Sequence, residues 1–350
     1  MSTVDELKAL LARGEPANEV RMAGASLAGQ TLTRGIFSDC DFSDCDFSGA
    51  DLQESSFVNC RMDGARFADA NLRLGTFHAT SLQRAGFGGT RLVGCTFNES
   101  GLESTSFDGA DMEFANLVKC RLDGSRFVGA RLIQASFVEC QFGTVALDEA
   151  HFAKTVFYKA DLRQVHFLRP GGDQCVFADC SMAGMDFSAA AWTRSQFMDA
   201  DLTGASFAGA RLSGSNFKGA RLAGADFSGI DGQHTLWIGA CVDEARFDDA
   251  RLEQSIWMDA EGERTSFRNA HLVESVLQKA KFRHCSFDGA SVRYADMAHA
   301  ELNGCRFVGA DMTRAGLRGV RADGAEMPNR NQAAPDDEDT VKAENWRPAG

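Results

Sequence analysis

The sequence predicts an all-β solenoid. Two observations predict it: a large apolar residue recurs at every fifth position with no insertion to break the phase, and the phenylalanines keep almost wholly to that register. From Met22 to Met327 the spacing samples 62 positions, and all but Gly172, Gly232, Gly262 and Ala322 carry a large apolar side chain. Of 27 phenylalanines 26 obey it, Phe114 being the exception. A period of five matches neither a helix nor a strand, so each unit must be a short extended piece plus a turn, with two residues inward and three outward.

A second layer is superimposed. Positions ending in 2 are mostly Leu or Met and those ending in 7 mostly Phe, and a small residue stands two places before each large one, as in Ala50-Asp51-Leu52 and Ala205-Ser206-Phe207. The 350 residues would by length suggest two or three domains, but a solenoid adds length without adding domains. With 36 basic and 49 acidic residues the net charge of -13 argues against direct nucleic-acid binding. No apolar run approaches a membrane span, and MSTVDELKALLARGEP lacks the basic flank and apolar stretch of a signal peptide, so the expected compartment is the cytoplasm, with no membrane contact.

Residues 1–19 read as a capping helix and linker. Thr3 and Glu6 have capping-box spacing, Val4, Leu7, Leu10 and Leu11 make one apolar face, and Gly14 with Pro16 stops the helix. Residues 20–327 carry the repeat. Its triplets Ala70-Asn71-Leu72, Ala160-Asp161-Leu162 and Ala200-Asp201-Leu202 resemble the pattern of the pentapeptide-repeat family. The resemblance implies a right-handed quadrilateral parallel β-helix, four pentapeptides to a 20-residue coil, hence about 15 coils, loosening at Gly172, Gly232 and Gly262. Residues 328–350, with Asp336-Asp337-Glu338-Asp339, read as a disordered acidic tail, which leaves the C-terminal coil uncapped and open to self-association.

Ten of the 11 cysteines occupy the small inward position, Cys241 alone lying one place off. Pairs twenty apart, such as Cys40 and Cys60, stack with parallel Cβ vectors about 4.8 Å apart, too far for a disulfide, so they read as buried free thiols. No C-x-x-C or H-x-x-x-H spacing supports a metal, the seven histidines are scattered, and Pro170-Gly171-Gly172-Asp173 lacks the Gly-Lys-Ser/Thr of a phosphate loop. No catalytic, metal or cofactor residue is predicted. A filled convex solenoid offers no cleft for an enzyme.

Outward positions that should be polar carry the remaining signal. Val156, Tyr158, Val176, Met198, Leu236, Ile238, Ile256, Met258 and Val276 flank inward residues of a single face, with Val118 and Val138 extending the column, and a contiguous apolar stripe marks a binding surface. The leading expectation is a non-enzymatic protein–protein interaction scaffold, a rigid rod with an apolar face. Two alternatives follow from the resemblance: a DNA mimic occupying type II topoisomerases such as gyrase, and an accessory, adaptor or effector protein of a secretion system, notably type VI. The partner is another protein in each reading, and the C-terminal coil and the apolar face each favour a homodimer.

Overall fold

The computed structural model describes residues 3–168 and 170–346. The chain forms two compact units, residues 1–181 and 182–350. Each is a parallel β-solenoid in which residue i pairs with residue i+20, as Asp41 with Arg61 in the first and Arg211 with Asp231 in the second. Four five-residue units therefore make one turn. About 13 turns are formed, slightly fewer than the 15 obtained by dividing units by four.

The backbone explains the register. The amide of an inward large residue donates to the next coil, Phe42 to Arg61 O (2.8 Å) and Phe47 to Arg66 O (2.7 Å), while the amide of its outward predecessor donates to the previous coil, Asp41 to Val20 O (2.8 Å). Each side chain consequently lies above its counterpart twenty residues away. In the first unit Phe37, Phe57, Phe77 and Phe97 stack at 4.8, 5.0 and 4.7 Å. The Phe67, Phe87 and Phe107 column meets them edge to face, with Phe77 and Phe87 at 84°. Both arrangements are favourable for the ring quadrupole.

Turning a corner every five residues requires left-handed backbone, and positions ending in 4 or 9 supply it: Glu54 has φ 59°, Gly64 φ 69°. At most corners the inward small residue's amide closes onto the carbonyl three residues back, as Ala50 onto Phe47 (2.9 Å). A second kind follows the three-residue strands. In the first unit these stack as nine parallel neighbours, from Ala17–Asn18 and Ile36–Ser38 to Val156–Tyr158 and Val176–Ala178. Strands throughout end two residues before a Cys, Ser or Thr, except at Val20 and Ala160.

At most of these corners the side chain adds a hydrogen bond that alanine cannot make. Thr80 Oγ1 donates towards His78 O in its own corner and Phe57 O in the preceding coil, both at 3.2 Å. It also accepts the Cys60 amide (3.3 Å), and Ser100 Oγ accepts the Thr80 amide (3.3 Å). Cys60, Cys120 and Cys140 reach the equivalent carbonyls through sulfur. Cys40, Cys60, Cys120, Cys140 and Cys180 thus form part of a polar ladder along one inner edge, and the other five buried thiols lie on different edges.

Gly232 and Gly262 do not loosen their coils. Both are buried, and a Cβ on Gly262 would meet Thr265, Val242 and Phe282 within 3.1 Å. Ile230 and Leu252 lie against Gly232, and in the neighbouring column Trp237 and Trp257 stand where phenylalanine recurs, their indole N–H groups donating to Thr235 Oγ1 and Ser255 Oγ, both at 2.8 Å.

At the N-terminus α1, Val4–Ala12, has the expected capping box: the Glu6 amide donates to Thr3 Oγ1 (3.2 Å) and the Thr3 amide to Glu6 Oε2 (2.7 Å). Leu7 is buried over the first coil. The C-terminal end differs from the expectation of an uncapped coil and a disordered tail. A 3-10 turn at Arg330–Gln332 folds over the last coil, where Gln332 O accepts the Arg314 amide (2.9 Å) and Gln332 Oε1 the Met312 amide (3.1 Å). Asn329 and Ala334 add bonds to Ala310 O and Ala315 O. Beyond it α2, Glu338–Asn345, is started by Asp337, which accepts from the Thr340 amide and hydroxyl, and is supported by Lys342 near Glu338 and Asp339. An acidic first turn capped by aspartate favours helix over coil.

Thr80→Val keeps shape and burial but removes the donor that serves two carbonyls. Urea unfolding should show a loss of about 1–2 kcal/mol, against little change for Thr76→Val on the exposed face of the same coil.

Candidate protein-binding surface

The solenoid's outward residues sort into four faces, one of which differs in charge. In the first unit it is lined by Ile36, Ser56, Thr76, Thr96, Asn116, Ser136, Val156 and Val176 on one side of the inward row and by Ser38 to Ala178 on the other, with no Asp, Glu, Lys or Arg among them. Its polar groups bond one another along the columns. Thr76 Oγ1 donates to Ser56 Oγ (3.0 Å), Asn98 meets His78 Nδ1 (2.9 Å), and Ser136 Oγ donates to Asn116 Oδ1 (2.7 Å).

In the second unit the corresponding face runs through Asn216, Leu236, Ile256 and Val276 in consecutive register, with Ile238 and Met258 on its other side. Lys218 is its single charge before Asp296.

The nine residues singled out by sequence divide between the units. Val156, Tyr158 and Val176 lie together in the first, where Val156 is in register with Val176 and Tyr158 with Val138 and Ala178. Leu236, Ile256 and Val276 form one row of the second and Ile238 and Met258 its neighbour row, while Lys218 separates Met198 from Ile238. All nine are half-buried rather than exposed, because side chains on a flat parallel sheet cover each other's flanks at the strand spacing. Their apolar character is thus partly used within the sheet.

Exposed large apolar residues were missed both on the uncharged face, at Ile36 (51%), and at corners. Leu74 (44%) and Phe114 (49%) both occupy left-handed corner positions, with φ 58° and 60°, and Leu74 drapes over Gly94. Phe114 had a visible signal as the one phenylalanine outside the register. Tyr294 repeats the arrangement in the second unit, with φ 57°.

The other three faces are charged, and the charges pair between adjacent coils. Arg66 meets Asp46 (3.2 Å), Arg126 Asp108 (3.0 Å) and Arg131 Glu113 (2.9 Å) in the first unit. In the second, Arg221 meets Asp201 (3.1 Å) and Lys281 Glu261 (2.7 Å). Exposed pairs of this kind contribute little stability, but they neutralise the acidic surface locally. Aspartates followed two places on by Ser or Thr are also engaged: Asp46 is held down at about 2 by the Ser48 hydroxyl and amide and by Arg66.

No group of three or more metal-competent side chains occurs among the described residues, and none of their helices is long and apolar enough to cross a membrane. The thiols are structural in their surroundings. Burial pushes Cys95 up to about 12 and Cys45 and Cys175 to about 11. In the stacked pair both thiols donate to backbone carbonyls, Cys40 to Ala17 O (3.2 Å) and Cys60 to Phe37 O (3.5 Å), and Cys40 is only 2% exposed. Only Cys241 is half-exposed. Titration of the native protein with a thiol reagent should therefore release about one equivalent promptly, with the remainder appearing only on unfolding; several fast equivalents would contradict this burial.

Comparison with known proteins agrees with the repeat. The family model described as pentapeptide repeat region matches residues 30–107, and that described as pentapeptide repeats (8 copies) matches 105–142, 125–164, 195–231, 245–283, 263–297 and 293–327. Among solved structures, the full-length plasmid-mediated fluoroquinolone resistance protein QnrB1 is 16% identical over 71% of this chain and 93% of its own, with a TM-score of 0.24. HetL, a pentapeptide repeat protein involved in heterocyst differentiation regulation from the cyanobacterium Nostoc, is 18% identical over 94% of this chain and 98% of its own, with a TM-score of 0.18. A thylakoid-lumen pentapeptide repeat protein of Arabidopsis thaliana is 23% identical over 33% of this chain and 68% of its own, with a TM-score of 0.19. None of the curated proteins matches the chain.

Proposed function

The chain belongs to the pentapeptide-repeat family, and from that premise we propose that it is a non-enzymatic scaffold that binds another protein through its uncharged face. One observation carries the reading. In a protein of net charge -13, whose other faces alternate acid and base, the two outward columns of a single face carry no charge from Ile36 to Ala178. Interfaces deplete charge at their centre and retain it at the rim, and here Glu99, Lys119, Glu139 and Lys159 stand exposed along one edge. A surface fixed by stacked coils also binds without the entropic cost of ordering a loop. The compartment proposed is the reducing cytoplasm, in which the thiols stay free.

Mimicry of DNA towards a type II topoisomerase is the second reading, favoured by the net charge of -13. Pairing of Arg66 with Asp46 and of Arg221 with Asp201 weighs against it, since it interrupts any continuous acidic track. An adaptor role in a secretion system has no separate observation in its favour.

Affinity capture from host lysate, run with wild type and with Tyr158→Asp, Ile238→Asp, Met258→Asp, tests the face. The expected result is a protein held by wild type and by an Arg126→Ser, Arg246→Ser control but lost from the aspartate variant. Equal recovery by all three would overturn the reading. Inhibition of gyrase supercoiling by the purified protein would put the second reading in its place.

A further inference from the structure

The charged edge of the uncharged face has a pattern of its own. At the left-handed corner that ends each strand of the first unit, successive coils present Glu99, Lys119, Glu139 and Lys159, all exposed, with Ala79 before them and Asp179 after. Strict alternation along a column of about 4.8 Å steps lets neighbours attract, and Lys159 lies 3.9 Å from Glu139. Neighbour attraction alone is met elsewhere by Arg–acid pairs placed without alternation. What alternation adds is complementarity to its own reverse.

We propose that the uncharged face of the first unit docks a second copy of this chain in antiparallel orientation, with the alternating edge fixing the register. Consider a two-fold axis parallel to the strands and midway between Asn116–Val118 and Ser136–Val138. This operation turns one face onto the other and brings each edge against the same edge of the second copy, so the contact is isologous. Glu99 then opposes Lys159 of the second copy and Lys119 opposes its Glu139, and symmetry repeats both pairs. At the axis Val118 meets Val138 of the second copy. Asn98 meets Tyr158, Thr96 meets Val156, and Asp179 meets Ala79, so no like charges face each other.

The one-coil slips are worse, since they set Glu99 against Glu139 or Lys119 against Lys159 of the second copy. A slip of two coils towards the C-terminal side keeps opposite charges together, Glu139 with Lys159 and Lys119 with Asp179, and sets Val138 against Tyr158, so Asp179 is the residue that separates the two registers. Charge complementarity is what distinguishes a second copy from any other occupant: the four-residue alternation matches itself reversed, and the columns between are uncharged. The overlap of six strands, from Thr76–His78 to Val176–Ala178, is about 29 Å tall. Such a strip is narrow for a permanent dimer, so the association is reversible and weakens with salt.

This inference rests on the reading of the face as a contact surface, and its test uses edge charges alone so that the two fail separately. Sedimentation of the full chain at low salt, up to a few hundred micromolar, should show a monomer–dimer equilibrium. Lys119→Glu with Lys159→Glu makes the edge wholly acidic, and Glu99→Lys with Glu139→Lys makes it wholly basic. Each variant alone should dimerise at least tenfold more weakly, their mixture should restore a heterodimer, and Asp179→Lys should leave the wild-type constant unchanged. Thermal melts report that these exposed changes leave the fold intact. A monomeric wild type, a dimer indifferent to both swaps, or a mixture that fails to associate would each overturn the proposal; loss on Asp179→Lys would overturn its register. Failure of self-association leaves the capture of a different protein by the face standing, whereas a dimer that forms competes with it.

Discussion

Everything in this molecule depends on the pairing of residue i with residue i+20 through backbone hydrogen bonds that run along the solenoid axis. Because Phe42 is bound to Arg61 O and Asp41 to Val20 O, no side chain chooses its neighbours independently. Each is placed above and below the same position of adjacent coils. The core is therefore a set of columns, and the stacking of Phe37 on Phe57 on Phe77 is a consequence of register before it is a source of stability. The same constraint orders the surface, where an acid at one coil finds an arginine at the next.

Much of this was legible in the sequence because the period of five is a covalent record of the coil. The inward residues, the capping box of Thr3 and Glu6 and the burial of the thiols follow from spacing alone. Other features were not legible, each for a physical reason. That Thr80 and Cys60 create a distinct corner depends on which carbonyl their side chains reach, which spacing does not encode. The cap at Arg330–Gln332 rests on a few individual hydrogen bonds, among them Met312 and Arg314 amides to Gln332, with no repeat to advertise it. Half-burial of Val156 and Ile256 comes from lateral cover by neighbouring coils, so apolar character was visible but accessibility was not. Leu74 and Phe114 lie outside the register, and exposure at a corner is what the register implies for them.

Function separates from fold along the same line. Inward positions are bound to the geometry and vary only in size or in hydrogen-bonding capacity, whereas outward positions are free to differ from face to face. A face without charge is thus a choice the fold does not impose, which is why it bears on function while the phenylalanine columns do not. The charged faces, by contrast, satisfy themselves through contacts between coils.

The indole pairs of the second unit have a consequence for substitution. Trp237 and Trp257 each bond a hydroxyl two residues earlier, on Thr235 and Ser255. In this column a phenylalanine replaced by tryptophan before the hydroxyl exists would bury an unpaired N–H, while a hydroxyl arriving first bonds a backbone carbonyl, as Thr235 does with Gly232 O (2.6 Å). The hydroxyl is therefore satisfied with or without the indole, whereas the indole is satisfied only with the hydroxyl, so the dependence between the two positions runs one way.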